Sequence, residues 1–250
     1  MLSRLTLGVQ HLWGRLPAML PSSCALCGIS NAQVICDACR SQYFQRRGHC
    51  CMQCAMPLLE ITGETASHCG ECLDQPPAFD ATFNAVDYAA PVDQLVVALK
   101  FRSRLALAPM FARLMRDRLL ASTLPQQSLP NLLMPVPLSA SRLSQRGFNQ
   151  ALEIARPLSR TLGIRLEPRL AVRLRDTNAQ STLHPDERRK NMRNAFTISP
   201  AFVDQLHGQH IGVVDDVMTT GETLNELAAT LKRFGAARVT NFVFARTLLK

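Results

Sequence analysis

Apolar and polar residues follow two different periods along the last two thirds of the chain. Apolar runs of about four to eight residues predict buried strands, and apolar positions spaced about three to four residues apart predict helices. The predicted strands span residues 79–88, 131–136, 170–174, 210–215 and 238–244. The predicted helices span residues 92–100, 105–120, 148–162 and 222–234. Because strands alternate with helices, the pattern predicts an α/β domain over residues 77–250, with a doubly wound parallel sheet.

The first part of the chain, residues 1–21, carries a separate helical stripe. Leu5, Val9 and Leu12 recur there at helical spacing, and Pro17 would bend or end that helix. Polar residues interrupt the stripe, so it does not resemble a signal peptide. We expect this amphipathic segment to pack on the protein or a partner, or to lie on a membrane surface. No stretch of the sequence is long and apolar enough to span a bilayer.

A cysteine-rich region follows, and it predicts a metal-binding module over residues 22–76. All nine cysteines lie between positions 24 and 72, and eight of them form C-x-x-C pairs. The paired cysteines are Cys24, Cys27, Cys36, Cys39, Cys51, Cys54, Cys69 and Cys72. Each pair directs two thiolates at one ion, and two pairs complete a closed tetrahedral zinc site. We therefore predict a double zinc ribbon with two structural zinc ions.

The four C-x-x-C pairs could combine into two zinc sites in more than one way. Sequential pairing closes the shorter loops and is favoured, while interleaved pairing stays open. Cys50 is left out because Cys51 has the better spacing, and His49 and His68 are interpreted as bystanders. We expect zinc to fold a region, about residues 24–72, that has little core of its own. Zinc ribbons often bind nucleic acid or protein. The alternative is that the zinc ribbons have a purely structural role.

The most informative segment spans residues 211–223 and reads IGVVDDVMTTGET. Its apolar start predicts a buried parallel strand that ends at Asp215 and Asp216, on the sheet edge where α/β proteins bind ligands. Residues 219–223 then offer hydroxyls, a glycine and the N–H groups of a helix start, a combination that cradles a phosphate. Carboxylates beside such a cradle suit a sugar phosphate, because they accept hydrogen bonds from ribose hydroxyls. An ordinary strand–turn–helix with surface aspartates is the alternative interpretation.

Further motifs stand in a fixed order around this segment. The acid pair followed by T-T-G-x-T resembles the signature of phosphoribosyltransferases that use phosphoribosyl pyrophosphate (PRPP). The other motifs are P-V-P-L from Pro135, R-G-F-N-Q from Arg146, R-x-T-x-x-Q from Arg175 and R-x-N from Arg189. Behind a cysteine-rich module, this order is similar to the ComF/GntX family of bacterial proteins linked to natural competence and the use of external DNA. The resemblance covers the chain from Cys24 onward.

The resemblance implies a sheet of the phosphoribosyltransferase type and a role for each motif. Asp215 and Asp216 would be the catalytic-site acids that bind the ribose hydroxyls. The 5′-phosphate would lie on Met218, Thr219, Thr220, Gly221, Glu222 and Thr223. The pyrophosphate would contact Pro137, Leu138, Ser139, Arg142, Arg146 and Lys100. A flexible loop that closes over PRPP would contain Arg175, Thr177 and Gln180, and Mg²⁺ would bind together with PRPP.

Net charge agrees with anionic partners. The formal charge is +9 and the pI is about 9.4, which favours nucleic acids, phosphorylated metabolites or an anionic membrane face. We expect a cytoplasmic PRPP-binding protein, with peripheral contact at the inner face of the cytoplasmic membrane, that acts in DNA uptake. Its expected macromolecular partners are single-stranded DNA or DNA-uptake proteins. Two alternatives stay open: an active phosphoribosyltransferase with an unknown nitrogen acceptor, and a zinc-ribbon adaptor for DNA or protein with a vestigial ligand site.

Overall fold

The computed structural model describes residues 22–44, 48–58, 67–121, 129–174 and 194–248. The chain divides into two compact units, Met1–Gln45 and Arg46–Lys250. The predicted amphipathic segment 1–21 lies outside the described residues, as do Arg175, Thr177 and Gln180 of the predicted flexible loop. Among the described residues, no helix combines the length and the apolar character that crossing a membrane requires.

The first unit is small and has few apolar residues to bury. A short antiparallel pair, β1 (Ser22–Ser23) and β2 (Ser30–Asn31), precedes helix α1 (Asp37–Tyr43). The buried hydrophobic side chains of its described part are Cys24, Ile35, Cys39 and Phe44. Cysteines therefore make up half of this small interior.

The second unit contains the remaining elements. Its strands are β3 (Ala81–Asp87), β4 (Leu132–Pro135), β5 (Arg165–Leu166), β6 (Ala171–Arg173), β7 (Phe196–Ile198), β8 (His210–Met218) and β9 (Arg238–Arg246). Its helices are α2 (Gly70–Asp74), α3 (Val92–Phe101), α4 (Leu107–Leu120), α5 (Ala140–Arg146), α6 (Gln150–Leu162), α7 (Val203–Leu206) and α8 (Glu222–Arg233). A 3₁₀ turn, Pro200–Phe202, precedes α7.

Five of these strands form one parallel sheet, as the sequence predicts. The order is β3-β9-β8-β4-β5, and each neighbouring pair is parallel. Strands β6 and β7 form a separate antiparallel ribbon. The centre of the sheet is β8, whose carboxyl end therefore lies between the ends of β9 and β4.

Helices cover both faces of the sheet. On one face α4 packs against β9, with the rings of Phe111 and Phe244 stacked at 3.6 Å between centroids. On the opposite face Leu227 of α8 shares a core cluster with Ile211 and Val213 of β8. Gly212 allows β8 to approach its neighbours closely, because a Cβ there would lie 2.5 Å from a methyl group of Leu133. This packing fixes the position of the carboxyl end of β8 relative to the neighbouring strands.

Three features differ from the sequence-based prediction. The predicted strand over residues 170–174 does not join the parallel sheet but forms β6, because its pairing partner is the antiparallel strand β7. Strand β8 does not end at the acid pair but continues to Met218, because Arg246 of β9 remains its pairing partner there. The two acids therefore lie inside the strand. The structure also adds the two-residue strand β5, the strand β7 and the helix α5, which are too short to give a periodic signal.

Candidate ligand site and zinc centres

The acid pair lies on two opposite faces of β8, because successive side chains of a strand alternate. Asp216 is only 5% exposed, and its Oδ2 lies 3.1 Å from the Nζ of Lys100 at the end of α3. That contact lacks hydrogen-bond geometry, so Oδ2 is a buried acceptor to which no described residue donates a hydrogen bond. The carboxylate of Asp216 is therefore compensated by charge alone and has unused acceptor capacity.

Asp215, on the face covered by α8, is strongly perturbed. Burial and the negative charge of Asp216 raise the pKa of Asp215 to about 7, and the positive charge of Lys100 only partly opposes this. One oxygen of its carboxyl accepts a hydrogen bond from the backbone N–H of Asp216, at 2.9 Å. Near neutral pH the pair thus holds more negative charge than the protein around it stabilises, which favours a cation or hydroxyl donors as ligand.

The predicted 5′-phosphate loop forms a small pocket at the carboxyl end of β8. The pocket has a volume of about 50 Å³ and is lined by residues from Asp215 to Leu224, including Thr219 and Thr223. Gly221 has φ +86° and stands at the start of α8, where no described side chain caps the helix. Its left-handed backbone suits glycine. The uncapped N–H groups of α8 and the exposed threonines make this pocket suitable for a phosphate.

The predicted pyrophosphate turn leaves the sheet beside the acids. The backbone N–H of Val136 donates to the carbonyl of Val214 at 2.9 Å, so Pro137 and Leu138 start directly next to Asp215. Ser139 is buried and caps α5 by accepting from the N–H of Arg142, at 3.5 Å. The structure thus brings this turn and the acid pair to one edge of the sheet.

Arg146, at the end of α5, has other partners in the structure. Its Nη1 donates to Oε1 of Gln150 at 3.0 Å, and its guanidinium lies 5.4 Å from the ring centroid of Phe101. Phe101 follows Lys100 in the sequence and is 68% exposed. The last turn of α3 thus links the acid pair, through Lys100, to Arg146, through Phe101.

The eight paired cysteines form two clusters, in the sequential order that the short loops favour. The first cluster comprises Cys24, Cys27, Cys36 and Cys39, and the second comprises Cys51, Cys54, Cys69 and Cys72. Within each cluster all four sulfur atoms lie within 4.8 Å of one another. None of the nine cysteines forms a disulfide, and Cys50 belongs to neither cluster.

Both clusters fit a zinc ion. A tetrahedral ion with Zn–S bonds of about 2.3 Å requires sulfur–sulfur distances of about 3.8 Å. The observed distances include 3.7 Å between Cys27 and Cys36 and 3.5 Å between Cys54 and Cys69. Without metal, burial and the neighbouring thiols raise the pKa of Cys39 to about 12, so an ion is what would stabilise its thiolate.

Comparisons with known proteins agree with this arrangement. Residues 16–73 match the family model of the double zinc ribbon domain. The chain is 35% identical to DNA utilization protein YhgH of Salmonella typhi over 233 residues, which cover 92% of this chain and 99% of that protein. It is 32% identical to competence protein F of Haemophilus influenzae, over 85% of this chain and 90% of that protein. The chain belongs to the ComF family.

Solved structures overlap this ComF-family chain only loosely. The allosteric regulatory enzyme of purine biosynthesis overlaps 56% of the chain, and 25% of that enzyme, at 18% identity and a TM-score of 0.33. A purine phosphoribosyltransferase from Pyrococcus horikoshii overlaps 68% of the chain and 89% of its own, at 16% identity and a TM-score of 0.29.

Two residues of this ComF-family chain matter to the site although sequence reasoning gave them no role. Asn149 starts α6, and its Nδ2 donates to the carbonyl of Val136 at 2.9 Å, which fixes the turn after β4. An N-cap residue before a helical pattern is the signal that could have found it. Arg246, at the end of β9, donates to the backbone carbonyls of Met218 and Thr219. Nothing in the sequence marks that arginine, because its partners lie 27 and 28 positions away.

Proposed function

We propose that this protein binds PRPP at the carboxyl edge of its sheet and acts in the uptake or use of external DNA. The single observation that carries the proposal is the position of the acid pair, Asp215 and Asp216, beside the uncapped start of α8, with Oδ2 of Asp216 left without a hydrogen-bond donor. A ligand for this edge must bring hydroxyl donors or a cation to the acids and an anion to the loop. A ribose 5-phosphate group has both: hydroxyl donors on its ring and a phosphate on the neighbouring exocyclic carbon.

The remaining charges suit the second anionic group of PRPP. The pyrophosphate would lie on the turn of Pro137, Leu138 and Ser139, where the N–H groups at the start of α5 and the side chain of Arg142 are the donors. Lys100 would contact the ligand from the opposite side while it restrains Asp216. Arg146 donates to Gln150 and lies over Phe101, so a direct contact with pyrophosphate would require its side chain to leave these partners.

Magnesium fits the same edge, because the carboxylates of Asp215 and Asp216 are the oxygen ligands that this ion prefers. Bound with PRPP, Mg²⁺ would supply positive charge that neutralises the pyrophosphate. If the protein turns PRPP over, the bond from ribose C1 to the pyrophosphate oxygen breaks and a bond from C1 to a nitrogen acceptor forms. The residues of the chain would act there by positioning and electrostatic stabilisation.

The proposed biological role rests on the relatives. The name of one refers to DNA utilization and that of the other to competence, and the matches cover 92% and 85% of this chain. The net charge of +9 favours contact with single-stranded DNA. We place the protein in the cytoplasm, because eight paired thiols that hold metal require a reducing compartment.

The direct test is calorimetric titration of the metal-loaded protein with PRPP and Mg²⁺. The double variant Asp215→Asn, Asp216→Asn keeps the shape of both side chains and removes their charge. Since hydrogen bonds to charged groups are worth about 1.5–3 kcal/mol each, the double variant should bind about a hundred-fold more weakly or worse. Asp204→Asn, an exposed site on α7, is the matched control and should bind normally. Unchanged affinity in the double variant would remove the acids from the site.

A second measurement separates binding from turnover. Pyrophosphate release should be assayed with PRPP, Mg²⁺ and a panel of purine, pyrimidine and amine acceptors. Release that depends on one acceptor, and disappears in the double variant, would identify an active phosphoribosyltransferase. Tight binding without release would identify a protein that senses or sequesters PRPP. Failure of the intact protein to bind PRPP at all would favour the zinc-ribbon adaptor with a vestigial ligand site.

A further inference from the structure

Among the residues that the structure describes, the largest fully buried side chain is charged. Arg246 is the last residue of β9 and is 2% exposed. Its hydrogen bonds run to four backbone carbonyls, one of them on Thr247 at 2.8 Å. Its Nε donates to the carbonyl of Cys54 at 3.0 Å, while Nη1 donates to the carbonyls of Met218, at 3.2 Å, and of Thr219. One guanidinium thus connects the second cysteine cluster to the phosphate loop.

The charge of Arg246 has no conventional counter-ion. A buried cation is costly unless an opposite charge compensates it. Within the described part of the chain, no carboxylate forms an ion pair with Arg246, although Glu71 is near enough to act on it electrostatically. The direct link of Arg246 to the second cluster is the hydrogen bond from Nε to the carbonyl of Cys54, one of the four clustered cysteines. Negative charge at the cluster is therefore within reach of this buried cation.

A metal-loaded second cluster supplies that charge. Four thiolates around Zn²⁺ carry a net charge of about −2. Cys54 and Cys72 line one cleft of about 320 Å³ together with Thr220, Gly221 and Arg246. Cys51, Cys54 and Cys72 also belong to the same core cluster as Met218 and Leu224, at the two ends of the phosphate loop. Cluster, arginine and loop thus form one continuous packed region.

We propose that Arg246 is a positioning residue through which zinc in the second cluster holds the phosphate loop in its binding conformation. The inference rests on the proposed function, since it concerns the same phosphate. Loss of zinc leaves the guanidinium without compensating charge and frees the carbonyl of Cys54, so the restraint on the carbonyls of Met218 and Thr219 loosens. The planar fork of arginine is essential, because one ammonium group of lysine cannot reach both the cluster and the loop.

The test compares Arg246→Lys with a matched control in the full-length, zinc-loaded protein. Lys232→Met removes another cation of the same unit, whose Nζ pairs with Asp80 at 2.7 Å. Three properties are measured: affinity for ribose 5-phosphate and separately for inorganic pyrophosphate, the rate of zinc transfer to a chromogenic chelator, and amide exchange of residues 218–223. The two ligands probe the phosphate loop and the pyrophosphate turn independently.

Arg246→Lys should bind ribose 5-phosphate about ten-fold more weakly, with pyrophosphate affinity within about two-fold of wild type. It should also release one of its two zinc ions faster and exchange faster at 218–223, while Lys232→Met matches wild type throughout. Normal zinc release together with normal exchange at 218–223 would overturn the inference, and so would an equal loss of affinity for both ligands, because that indicates a general loss of structure.

A second variant keeps the inference testable if Arg246→Lys does not fold. Cys69→Ser removes a ligand of the second cluster and leaves Arg246 in place, so exchange at 218–223 should again rise. Normal exchange there in a chain that has lost this zinc would contradict the coupling. If wild type binds neither ribose 5-phosphate nor PRPP, the proposed function is wrong, while zinc release and amide exchange still decide whether Arg246 couples the cluster to the loop.

Discussion

The two cysteine clusters have the same ligands and the same C-x-x-C pairs, but they lie in different surroundings. The first cluster belongs to the unit Met1–Gln45, whose described interior contains only two buried hydrophobic residues besides cysteine, Ile35 and Phe44. The second cluster belongs to the unit Arg46–Lys250, and three of its cysteines are part of the core of the sheet. Equal motifs therefore do not imply equal roles.

The difference lies in what else is bonded to each cluster. Around the second cluster, Gln53 donates to the carbonyls of Pro77 and Phe79 at 3.3 and 3.0 Å, and the N–H of Thr82 donates to the carbonyl of Met52 at 3.2 Å. These bonds continue the edge of β3 into the C-x-x-C pair formed by Cys51 and Cys54. The sequence-based expectation that zinc serves only a region with little core of its own, about residues 24–72, thus describes the first cluster well. The second cluster is also part of the ligand-binding unit.

The proposed difference between the two cysteine clusters is tested most strongly by removing one zinc ion at a time. Structural zinc contributes several kcal/mol to folding, so Cys69→Ser should speed amide exchange in β8 and β9 by about a hundred-fold or more. Cys27→Ser should affect exchange only within residues 22–44. Hydrogen exchange with mass spectrometry measures both variants peptide by peptide. Equal exchange patterns for the two variants would show that the clusters are equivalent.

The next largest expected effect is that of the acid pair on the stability of the protein. Burial and the charge of Asp216 raise the pKa of Asp215 to about 7 from its ordinary value of 3.8, so its contribution to stability is fully present below pH 3.8 and is lost as pH rises through 7. Asp215→Asn should therefore stabilise the ligand-free protein by about 1–3 kcal/mol at pH 8 and much less at pH 4. Denaturant unfolding at the two pH values checks this. A variant less stable than wild type at pH 8 would contradict the perturbed carboxyl.

The raised pKa of Asp215 also predicts how PRPP binding depends on pH. If PRPP and Mg²⁺ require the ionised form of Asp215, affinity should rise between pH 6 and pH 8, by up to about ten-fold. Asp215→Asn should lose the part of this dependence that belongs to the protein, while titration of the ligand's own phosphates remains in both. Titrations of both proteins at several pH values separate the two contributions. Identical profiles would exclude Asp215 as the titrating group.

A smaller effect separates the phosphate loop from other glycine turns. Gly221 and Gly147 have φ of +86° and +77°, so Gly→Ala at either should cost about 1 kcal/mol of stability. A Cβ at Gly221 would also lie 2.6 Å from the Cε of Met218, whereas nothing lies within 4 Å at Gly147. Only Gly221→Ala should therefore weaken PRPP binding, as calorimetry can measure. Equal affinities in the two variants would show that the loop conformation is unimportant for binding.

The smallest expected effect is binding of single-stranded DNA. The charge of +9 predicts weak binding that falls steeply with salt, and aromatic residues are only 6% of the chain, which leaves few stacking positions. If the first cluster carries this contact, Cys27→Ser should weaken it and leave PRPP affinity unchanged. Fluorescence anisotropy at two salt concentrations measures the affinity. No binding at low salt would make the role in DNA use indirect.

The sequence predicted the parts of this molecule that depend on neighbouring residues. The parallel sheet, the order of its helices and the clustering of eight cysteines all follow from short-range patterns, and the structure confirms them, except that residues 170–174 lie in the β6–β7 ribbon and not in the sheet. The end of β8 was predicted wrongly because charged residues usually mark the end of a buried strand. The pairing with β9 that extends β8 beyond the acids joins distant segments, and the sequence does not show it. Met218 stays in the strand since Arg246 pairs with it.

The roles of single cations were harder to predict, because they depend on contacts between distant segments. Arg146 and Lys100 were both expected to contact pyrophosphate. In the structure the guanidinium of Arg146 lies over Phe101 and the ammonium group of Lys100 pairs with Asp216, contacts that the motifs did not indicate. Their contacts with pyrophosphate stay predictions. The role of Arg246 was not predicted, because a buried arginine at a strand end has no recognisable pattern of neighbouring residues. Its partners, Cys54 and Met218, lie 192 and 28 positions away in the sequence.

The most direct test of the account is the PRPP affinity of two single-cysteine variants, measured side by side at saturating Mg²⁺. Cys27→Ser and Cys69→Ser each lose one thiolate of one cluster, and metal analysis first verifies that each retains about one zinc ion. We predict that Cys27→Ser binds PRPP like wild type and that Cys69→Ser binds it at least about ten-fold more weakly. Wild-type affinity in Cys69→Ser, or an equal loss in both variants, would contradict the claim that the second zinc site is part of the ligand-binding unit and the first is not.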